Sequence, residues 1–120
     1  MRRFTKDHEW VILDGDVATI GISNHATSLL GDIVYVDVPE VGTKFRSGAA
    51  MAVVESVKAA SDVYAPVAGE ILEINQILVD DPELVNRDPE EAGWFVKMRV
   101  DDIAQFEALM STEQYLEMIV

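Results

Sequence analysis

Residues 53–71, VVESVKAASDVYAPVAGEI, decide the fold class of this chain. Two strand-like runs, 51–54 and 62–64, flank a segment of small side chains, so the chain must reverse direction between them. The reversal holds a single lysine, Lys58, and none of the Gly, Pro or Asn residues that usually occupy turns. An ordinary solvent-exposed hairpin lysine fits this pattern. So does a lysine whose small neighbours leave its stem open to the active site of another enzyme.

Working outward from this stretch, the sequence predicts a β sandwich. Asp14-Gly15 supplies the turn of a hairpin, and Pro39 ends a β-branched run that follows. The predicted strands outside the central stretch are 11–13, 17–22, 32–38, 70–75 and 94–100. The turns between them are short, which is typical of an antiparallel all-β domain.

Helices are predicted only at the periphery. Ser23 and Asn24 favour the start of a helix over 25–30, and Asp81-Pro82 favours another over 82–86 with proline at its first position. Apolar residues at three- and four-residue steps predict a helix over 103–110. Ser111 and Gln114 then resemble a capping box for a last helix over 113–119.

Length and composition favour one domain, residues 1–120. Of the 120 residues, 49% are hydrophobic, which is enough for a core without disulfides, and the chain has no Cys. The net charge of −13 repels phosphate backbones and anionic lipids, so neither nucleic acid nor a membrane is expected as a partner. No signal peptide or membrane span is evident. We therefore expect a bacterial cytoplasmic protein, or a mitochondrial one if the source is eukaryotic.

No catalytic set and no metal site are recognisable. Without Cys there is no thiol nucleophile, and His8-Glu9-Trp10 lacks the second histidine of a zincin helix. The glycines do not have the spacing of a phosphate-binding loop. Paired acids such as Asp80-Asp81 are typical of solvated loops. The sequence gives no support to a hydrolase.

The residues around Lys58 closely resemble the lipoyl-attachment region of the glycine cleavage system H protein. The motif is ESVKAASD, with Gly42 sixteen residues before the lysine and Gly69 eleven after it. Further segments resemble this family in the same order, from about Phe4 to Tyr115: DHEWV, VATIGIS, LLGDIVYVDVPEVGT, DPELVN and GW. Biotin carriers share the fold type but usually have methionine beside the lysine, where this chain has Val57 and Ala59. The resemblance therefore favours lipoate and implies a barrel-sandwich hybrid fold of the lipoyl/biotinyl type.

This resemblance implies a carrier rather than an enzyme. Lipoic acid would be attached to Lys58 by a lipoate ligase or transferase. The carrier would take an aminomethyl group from the pyridoxal-phosphate-dependent glycine decarboxylase (P protein) to the folate-dependent aminomethyltransferase (T protein). Dihydrolipoamide dehydrogenase (L protein) would then reoxidise the dithiol.

The resemblance also suggests residues that shield the cargo from water. Its amine should be cationic near neutral pH, so a carboxylate in a water-excluding groove would pair with it. The H-E-W resemblance makes Glu9 the first candidate, with Asp62 as the second. An ordinary surface acid at the start of a strand is an equal alternative for Glu9. Glu55 and the small residues 56–61 are expected to position the lysine for the modifying enzyme. A plain strand-edge acid is the alternative for Glu55.

Two other functions remain open at this point. An H-like protein could donate lipoate or octanoate during cofactor assembly for 2-oxoacid dehydrogenases. The same fold could also serve as an unmodified interaction domain.

Overall fold

The structure is a computed structural model that describes residues 2–120. This part of the chain forms ten strands and five short helices. The strands are β1 (Arg2–Phe4), β2 (Glu9–Asp14), β3 (Val17–Ile22), β4 (Ile33–Asp37), β5 (Lys44–Phe45), β6 (Ala50–Ser56), β7 (Ala60–Tyr64), β8 (Gly69–Ile74), β9 (Val96–Val100) and β10 (Met110–Ser111). The helices are α1 (Asn24–Leu30), α2 (Gln76–Asp80), α3 (Leu84–Arg87), α4 (Ile103–Glu107) and α5 (Thr112–Ile119).

The strands form two antiparallel sheets. The seven-stranded sheet has the order β10-β1-β2-β3-β9-β8-β5, and the three-stranded sheet has the order β4-β6-β7. Every strand pair is antiparallel. The predicted mainly β fold with short peripheral helices is therefore confirmed.

One apolar core joins the two sheets. Ile20 and Ile71 of the larger sheet pack in the same buried cluster as Ile33 and Val54 of the smaller sheet, and all four are 1% exposed or less. Side chains alternate between the two faces of a strand, so the neighbours of each of these residues along its own strand point away from the core. Burial of this cluster supplies the main force that holds the sheets together.

A second, smaller cluster lies on the opposite face of the larger sheet. The Phe4 ring stacks on the Tyr115 ring of α5 with centroids 4.2 Å apart, and both contact the buried Trp10. The Trp10 indole N–H donates to the carbonyl oxygens of Ile22 and Pro89 at 3.0 Å each. This cluster fixes the start of β2, where Glu9 lies beside Trp10.

Several predicted boundaries are confirmed closely. The first hairpin reverses at Gly15, whose φ of +63° suits glycine. Ser23 caps α1 by accepting from the Ala26 N–H, and Ser111 with Gln114 forms the predicted capping box. The reversal around Lys58 is confined to residues 57–59, between β6 and β7.

Other predicted boundaries were wrong. The helix expected over 82–86 begins only at Leu84, because Asp81 and Pro82 form a turn in which the Asp81 carbonyl accepts from the Leu84 N–H. The helix expected over 103–110 ends at Glu107, because Met110 pairs with Phe4 in β10. The last strand of the core begins at residue 96 instead of 94. Helix α2 and the strands β1, β5 and β10 were not predicted.

No helix within residues 2–120 has both the length and the apolar character required to cross a membrane.

Candidate functional site

Lys58 lies at the tip of the β6–β7 hairpin, with its side chain exposed. Within residues 2–120, its ammonium group forms no hydrogen bond and no ion pair. The flanking residues Val57 and Ala59 are exposed as well. The amine is therefore accessible to the active site of another protein, as the sequence suggested.

The Ser56 side chain builds the turn that carries this lysine. Its hydroxyl oxygen accepts from the backbone N–H groups of Lys58 and Ala59, each at 3.1 Å. The hydroxyl donates to the Ala59 carbonyl oxygen at 3.1 Å, and the Ser56 N–H donates to the same oxygen at 2.8 Å. A side-chain oxygen thus replaces the backbone acceptor of an ordinary tight turn, which explains how the reversal forms without Gly, Pro or Asn.

The hairpin also rests on the segment that joins α1 to β4. The Val57 N–H donates to the Asp32 carbonyl oxygen at 3.0 Å. The aliphatic stem of Lys58 crosses Gly31, because a Cβ added at Gly31 would lie 3.6 Å from Lys58 Cε. The backbone at the base of the lysine is therefore held in place while its amine stays free.

Glu9 is buried, with only 2% of its surface exposed. Because Trp10 faces the smaller cluster, the preceding side chain on β2 points to the other face of the sheet, toward β7. There Glu9 Oε1 accepts from the Thr5 hydroxyl at 2.6 Å, and Oε2 accepts from the Tyr64 N–H at 3.1 Å. The alternative of an ordinary surface acid at this position is wrong.

Burial raises the pKa of Glu9 from 4.5 to about 7. The hydrogen bonds from Thr5 and Tyr64 oppose this rise, and the nearby charge of Asp7 adds to it. Desolvation dominates because two neutral donors do not replace the water that a carboxylate loses. The carboxyl group is therefore close to its titration midpoint at neutral pH.

The backbone before Glu9 is fixed by a second polar cluster. His8 has a φ of +72°, an uncommon conformation for a residue other than glycine. Its Nδ1 lies 2.8 Å from the Tyr115 hydroxyl, which lies 2.6 Å from Ser23 Oγ. Burial and the neighbouring His25 lower the pKa of His8, so its imidazole favours the neutral form. Helix α5 thus holds the loop that places Glu9.

A cavity of about 440 Å³ opens beside Glu9. Its wall combines apolar surface from Ala65, Pro66 and Leu109 with the polar groups of Glu9 and Thr5. Tyr64, at the end of β7, lines the same cavity. The charged residues Lys6 and Asp7, both exposed, also line the cavity. The buried charged group in its wall is the Glu9 carboxylate, which suits a small cationic group.

The structure relates the three residues proposed from the sequence as follows. Strand β7 runs from the Lys58 hairpin to Tyr64, whose N–H contacts Glu9. Asp62 lies between them on β7 and is exposed, but it does not line the cavity. The strand therefore links Lys58 with Glu9, while Asp62 lies along the path between them.

Sequence reasoning missed two functional contributions. Ser56 was predicted only as one of the small residues that position the lysine, without a role for its hydroxyl group, although serine is a recognised turn former through that group. Thr5 received no role, and its hydroxyl donates the shortest hydrogen bond to Glu9. The spacing Thr5-x-x-x-Glu9 before a strand was the available signal, but it is weak on its own.

Two antiparallel sheets that present an exposed lysine on a tight hairpin, with a separate cavity at the far end of β7, have the arrangement of a carrier domain of the lipoyl/biotinyl type.

Comparison with known proteins specifies the family. A family model described as Glycine cleavage H-protein matches residues 2–120. The chain is 63% identical over 113 residues to the glycine cleavage system H protein of Phenylobacterium zucineum, covering 94% of this chain and 93% of the relative. It is 51% identical over 117 residues to that of Thermotoga maritima, covering 98% and 94%. A crystal structure of a glycine cleavage system H protein from Mycobacterium marinum superposes with a TM-score of 0.88 at 37% identity, covering 97% of this chain and 94% of that one.

The chain belongs to the glycine cleavage H-protein family. The H protein is the lipoyl carrier of the glycine cleavage system and is not itself an enzyme. The function inferred from the resemblance is thereby confirmed at the level of the family.

Proposed function

We propose that this chain carries lipoate on Lys58 and shuttles the aminomethyl group of glycine between the enzymes of glycine cleavage. The observation that carries the proposal is the exposed, unpaired Lys58 amine on a hairpin held by Ser56. An amide link to this amine removes its charge. Lipoate bound in this way supplies a disulfide that accepts the aminomethyl group and is restored by oxidation of the dithiol.

Glu9 is the residue we assign to the cargo. A carbon bonded to both sulfur and nitrogen hydrolyses readily, so the carrier must shield it from water in transit. The cavity beside Glu9 offers apolar walls and a carboxylate that pairs with a cationic amine. Thr5 and Tyr64 orient this carboxylate, so it does not have to be rearranged when the cargo arrives.

The distance between lysine and cavity is compatible with this assignment. Lys58 and Tyr64 are six residues apart, which sets an upper limit of about 20 Å at roughly 3.3 Å per residue of extended strand. An acylated lysine arm of about a dozen bonds, each advancing roughly 1.25 Å, reaches about 15 Å, which is of the same order as this upper limit. Asp62 lies within this range on the exposed face of β7. We assign it a secondary role in guiding the cationic cargo.

The expected partners follow from membership of the glycine cleavage system. They are the glycine decarboxylase, the aminomethyltransferase and dihydrolipoamide dehydrogenase, which would act in turn on the group attached to Lys58. A lipoate ligase or transferase would attach it. We propose one carrier domain over residues 1–120, and the family match over residues 2–120 supports this extent. The bacterial sources of the relatives support the predicted bacterial origin, while the cytoplasmic location stays a prediction.

The attachment site is tested by intact mass after incubation with lipoate, ATP and a lipoate ligase. The wild-type protein should gain the mass of one lipoyl group, and Lys58→Arg should gain none. Lys44→Arg is the control, because Lys44 is also exposed but lies on strand β5 instead of at the hairpin tip. A lipoyl gain that persists in Lys58→Arg, or no gain in the wild-type protein, contradicts the proposal.

The cargo site is tested with the lipoylated protein, loaded by glycine and glycine decarboxylase. Glu9→Ala should be lipoylated at the normal rate, but the loaded form should hydrolyse about ten to one hundred times faster. This range corresponds to a charged hydrogen bond of about 1.5–3 kcal/mol. Asp62→Ala should have a smaller effect, because its side chain lies outside the cavity. Unchanged hydrolysis in Glu9→Ala would remove Glu9 from the cargo site, and failure of the wild-type protein to load would instead favour a role in lipoate donation.

A further inference from the structure

We infer that Asn86 is a positioning residue for Lys58, although 28 positions separate the two in the sequence. The inference rests on the proposed acylation of Lys58 and goes beyond it by naming the residue that holds the base of the hairpin. Asn86 lies on the short helix α3 and is only partly exposed. Within residues 2–120 its side chain makes no hydrogen bond to the hairpin, and it does not line the cavity beside Glu9.

The side-chain amide of Asn86 clamps the segment that lies beneath the hairpin. Its Nδ2 donates to the Gly31 carbonyl oxygen at 3.0 Å, and its Oδ1 accepts from the Ile33 N–H at 2.8 Å. The two bonds bracket Asp32, whose carbonyl oxygen accepts from the Val57 N–H at 3.0 Å. Asn86 thus holds the residues immediately before and after Asp32, the residue whose carbonyl group supports the hairpin.

This segment needs such a clamp because its own backbone pairing is irregular. Gly31 ends α1 with a φ of +81°, and the β4–β6 register shifts between Ile33 and Tyr35. At this position a carboxamide supplies one donor and one acceptor in the arrangement of a neighbouring strand. Without the Asn86 amide, the Gly31 carbonyl and the Ile33 N–H lose these partners. Because Ile33 is fully buried, an unpaired N–H at this residue lowers the stability of the segment.

Loosening the segment should affect Lys58 through two contacts. The first is the hydrogen bond from Val57 to Asp32. The second is the packing of the Lys58 stem over Gly31. A modifying enzyme binds only the hairpin conformation that presents Lys58. If the hairpin adopts this conformation for a fraction of the time, the apparent affinity of the enzyme falls by that fraction, whereas the reaction in the bound complex is unchanged. We therefore expect a change in KM rather than in kcat.

The experiment measures lipoylation kinetics of the full chain with lipoate, ATP and a lipoate ligase, with protein concentration as the variable. The test variants are Asn86→Ala, which removes both bonds, and Asn86→Asp, which keeps only the acceptor. Asn75→Ala is the matched control. Asn75 also makes two side-chain bonds to backbone, to the carbonyl oxygens of Ala92 and Trp94 at 2.9 and 2.8 Å. Within residues 2–120 its side chain makes no hydrogen bond to residues 31–33 or to the hairpin. All proteins are compared at a temperature where unfolding curves show them folded.

Asn86→Ala should raise the KM for the carrier about fivefold and leave kcat within about twofold. Asn75→Ala should leave both constants unchanged even though it also lowers stability. Amide hydrogen exchange at Val57 should accelerate about tenfold in Asn86→Ala and not in Asn75→Ala. If Asn86→Ala does not fold, Asn86→Asp takes its place, with the same expected direction.

Equal KM values for the wild-type protein and the Asn86 variants would overturn the inference, and so would an equal rise in Asn86→Ala and Asn75→Ala. These results leave the proposed function intact, because the wild-type protein is still acylated. Failure of the wild-type protein to be acylated overturns the proposed function instead. In that case the exchange rate at Val57 still decides whether Asn86 holds the hairpin.

Discussion

Replacing Glu9 with Gln should change how the stability of this protein depends on pH. Glutamine has the shape of glutamic acid but does not ionise. Its oxygen can accept from the Tyr64 N–H, but its NH2 group then faces Thr5, which in the wild-type protein donates to Glu9. We expect this mismatch to cost about 1 kcal/mol at every pH. The informative quantity is therefore the change of the stability difference with pH.

The expected magnitude follows from the raised pKa of Glu9. The folded protein holds this proton up to a pKa of about 7, whereas the unfolded chain loses it near 4.5. Between these values the unfolded chain binds fewer protons than the folded protein, so stability falls as pH rises. From pH 5 to pH 8 the contribution of Glu9 should become less favourable by about 2.5 kcal/mol. This loss should be absent in Glu9→Gln.

The assay is urea unfolding of both proteins, followed by tryptophan fluorescence, at half-unit steps from pH 5 to pH 8. The wild-type protein should lose about 2.5 kcal/mol relative to Glu9→Gln over this range, so that the variant becomes the more stable protein at the upper end. Glu55→Gln is the control, because Glu55 is exposed on β6, and it should follow the wild-type curve. A stability difference that stays constant with pH, or one that grows in favour of the wild-type protein, would refute the reasoning.

Three further predictions concern the framework of the site. Ser56→Ala should destabilise the hairpin by about 1 kcal/mol and accelerate amide hydrogen exchange at residue 59, whereas Ser56→Thr, which keeps the hydroxyl, should retain the wild-type exchange rate. Equal exchange rates in all three proteins would contradict the role of the hydroxyl. Tyr115→Phe removes the hydroxyl that contacts His8 and should lower the free energy of unfolding by about 1–2 kcal/mol in urea titrations, so an unchanged midpoint would argue against this contact. Gly69→Ala should cost about 3 kcal/mol or prevent folding, because the new Cβ would overlap the Arg99 carbonyl oxygen. A variant as stable as the wild-type protein would show that this overlap is relieved.

The long strands of this fold were predictable because each carries its own pattern. The hairpin at Gly15 and the strands on either side of Lys58 combine β-branched residues with a clear reversal. The strands β1, β5 and β10 have only two or three residues, which is too short for a period, and they exist because a neighbouring strand pairs with them. Pro82 misled the prediction because a proline after aspartate also begins a turn, and here the turn precedes the helix.

The candidate site was predictable at the lysine and less so elsewhere. An exposed hairpin residue depends mainly on local sequence, and Lys58 lies where that sequence placed it. The burial of Glu9 depends on Tyr64, which is 55 positions away, and carboxylates are rarely buried at all. Sequence patterns carry no information about such a contact until the strands are paired. The same holds for the bonds between Asn86 and residues 31–33.

The unfavourable placement of Glu9 is itself an argument for its role. Among the ion pairs found within residues 2–120, none involves Glu9, and its two donors are neutral. A carboxylate in this state lowers the stability of the folded protein near neutral pH, and a neutral polar residue would accept from the Tyr64 N–H without this cost. A cationic amine in the cavity would reverse the effect, because an opposite charge lowers the pKa of Glu9 and favours its ionised form. Binding of the cationic cargo would then offset the free-energy cost of burying the Glu9 carboxylate. We therefore expect the loaded protein to resist unfolding at pH 8 more than the unloaded lipoylated protein does, and equal stability of the two forms would separate Glu9 from the cargo.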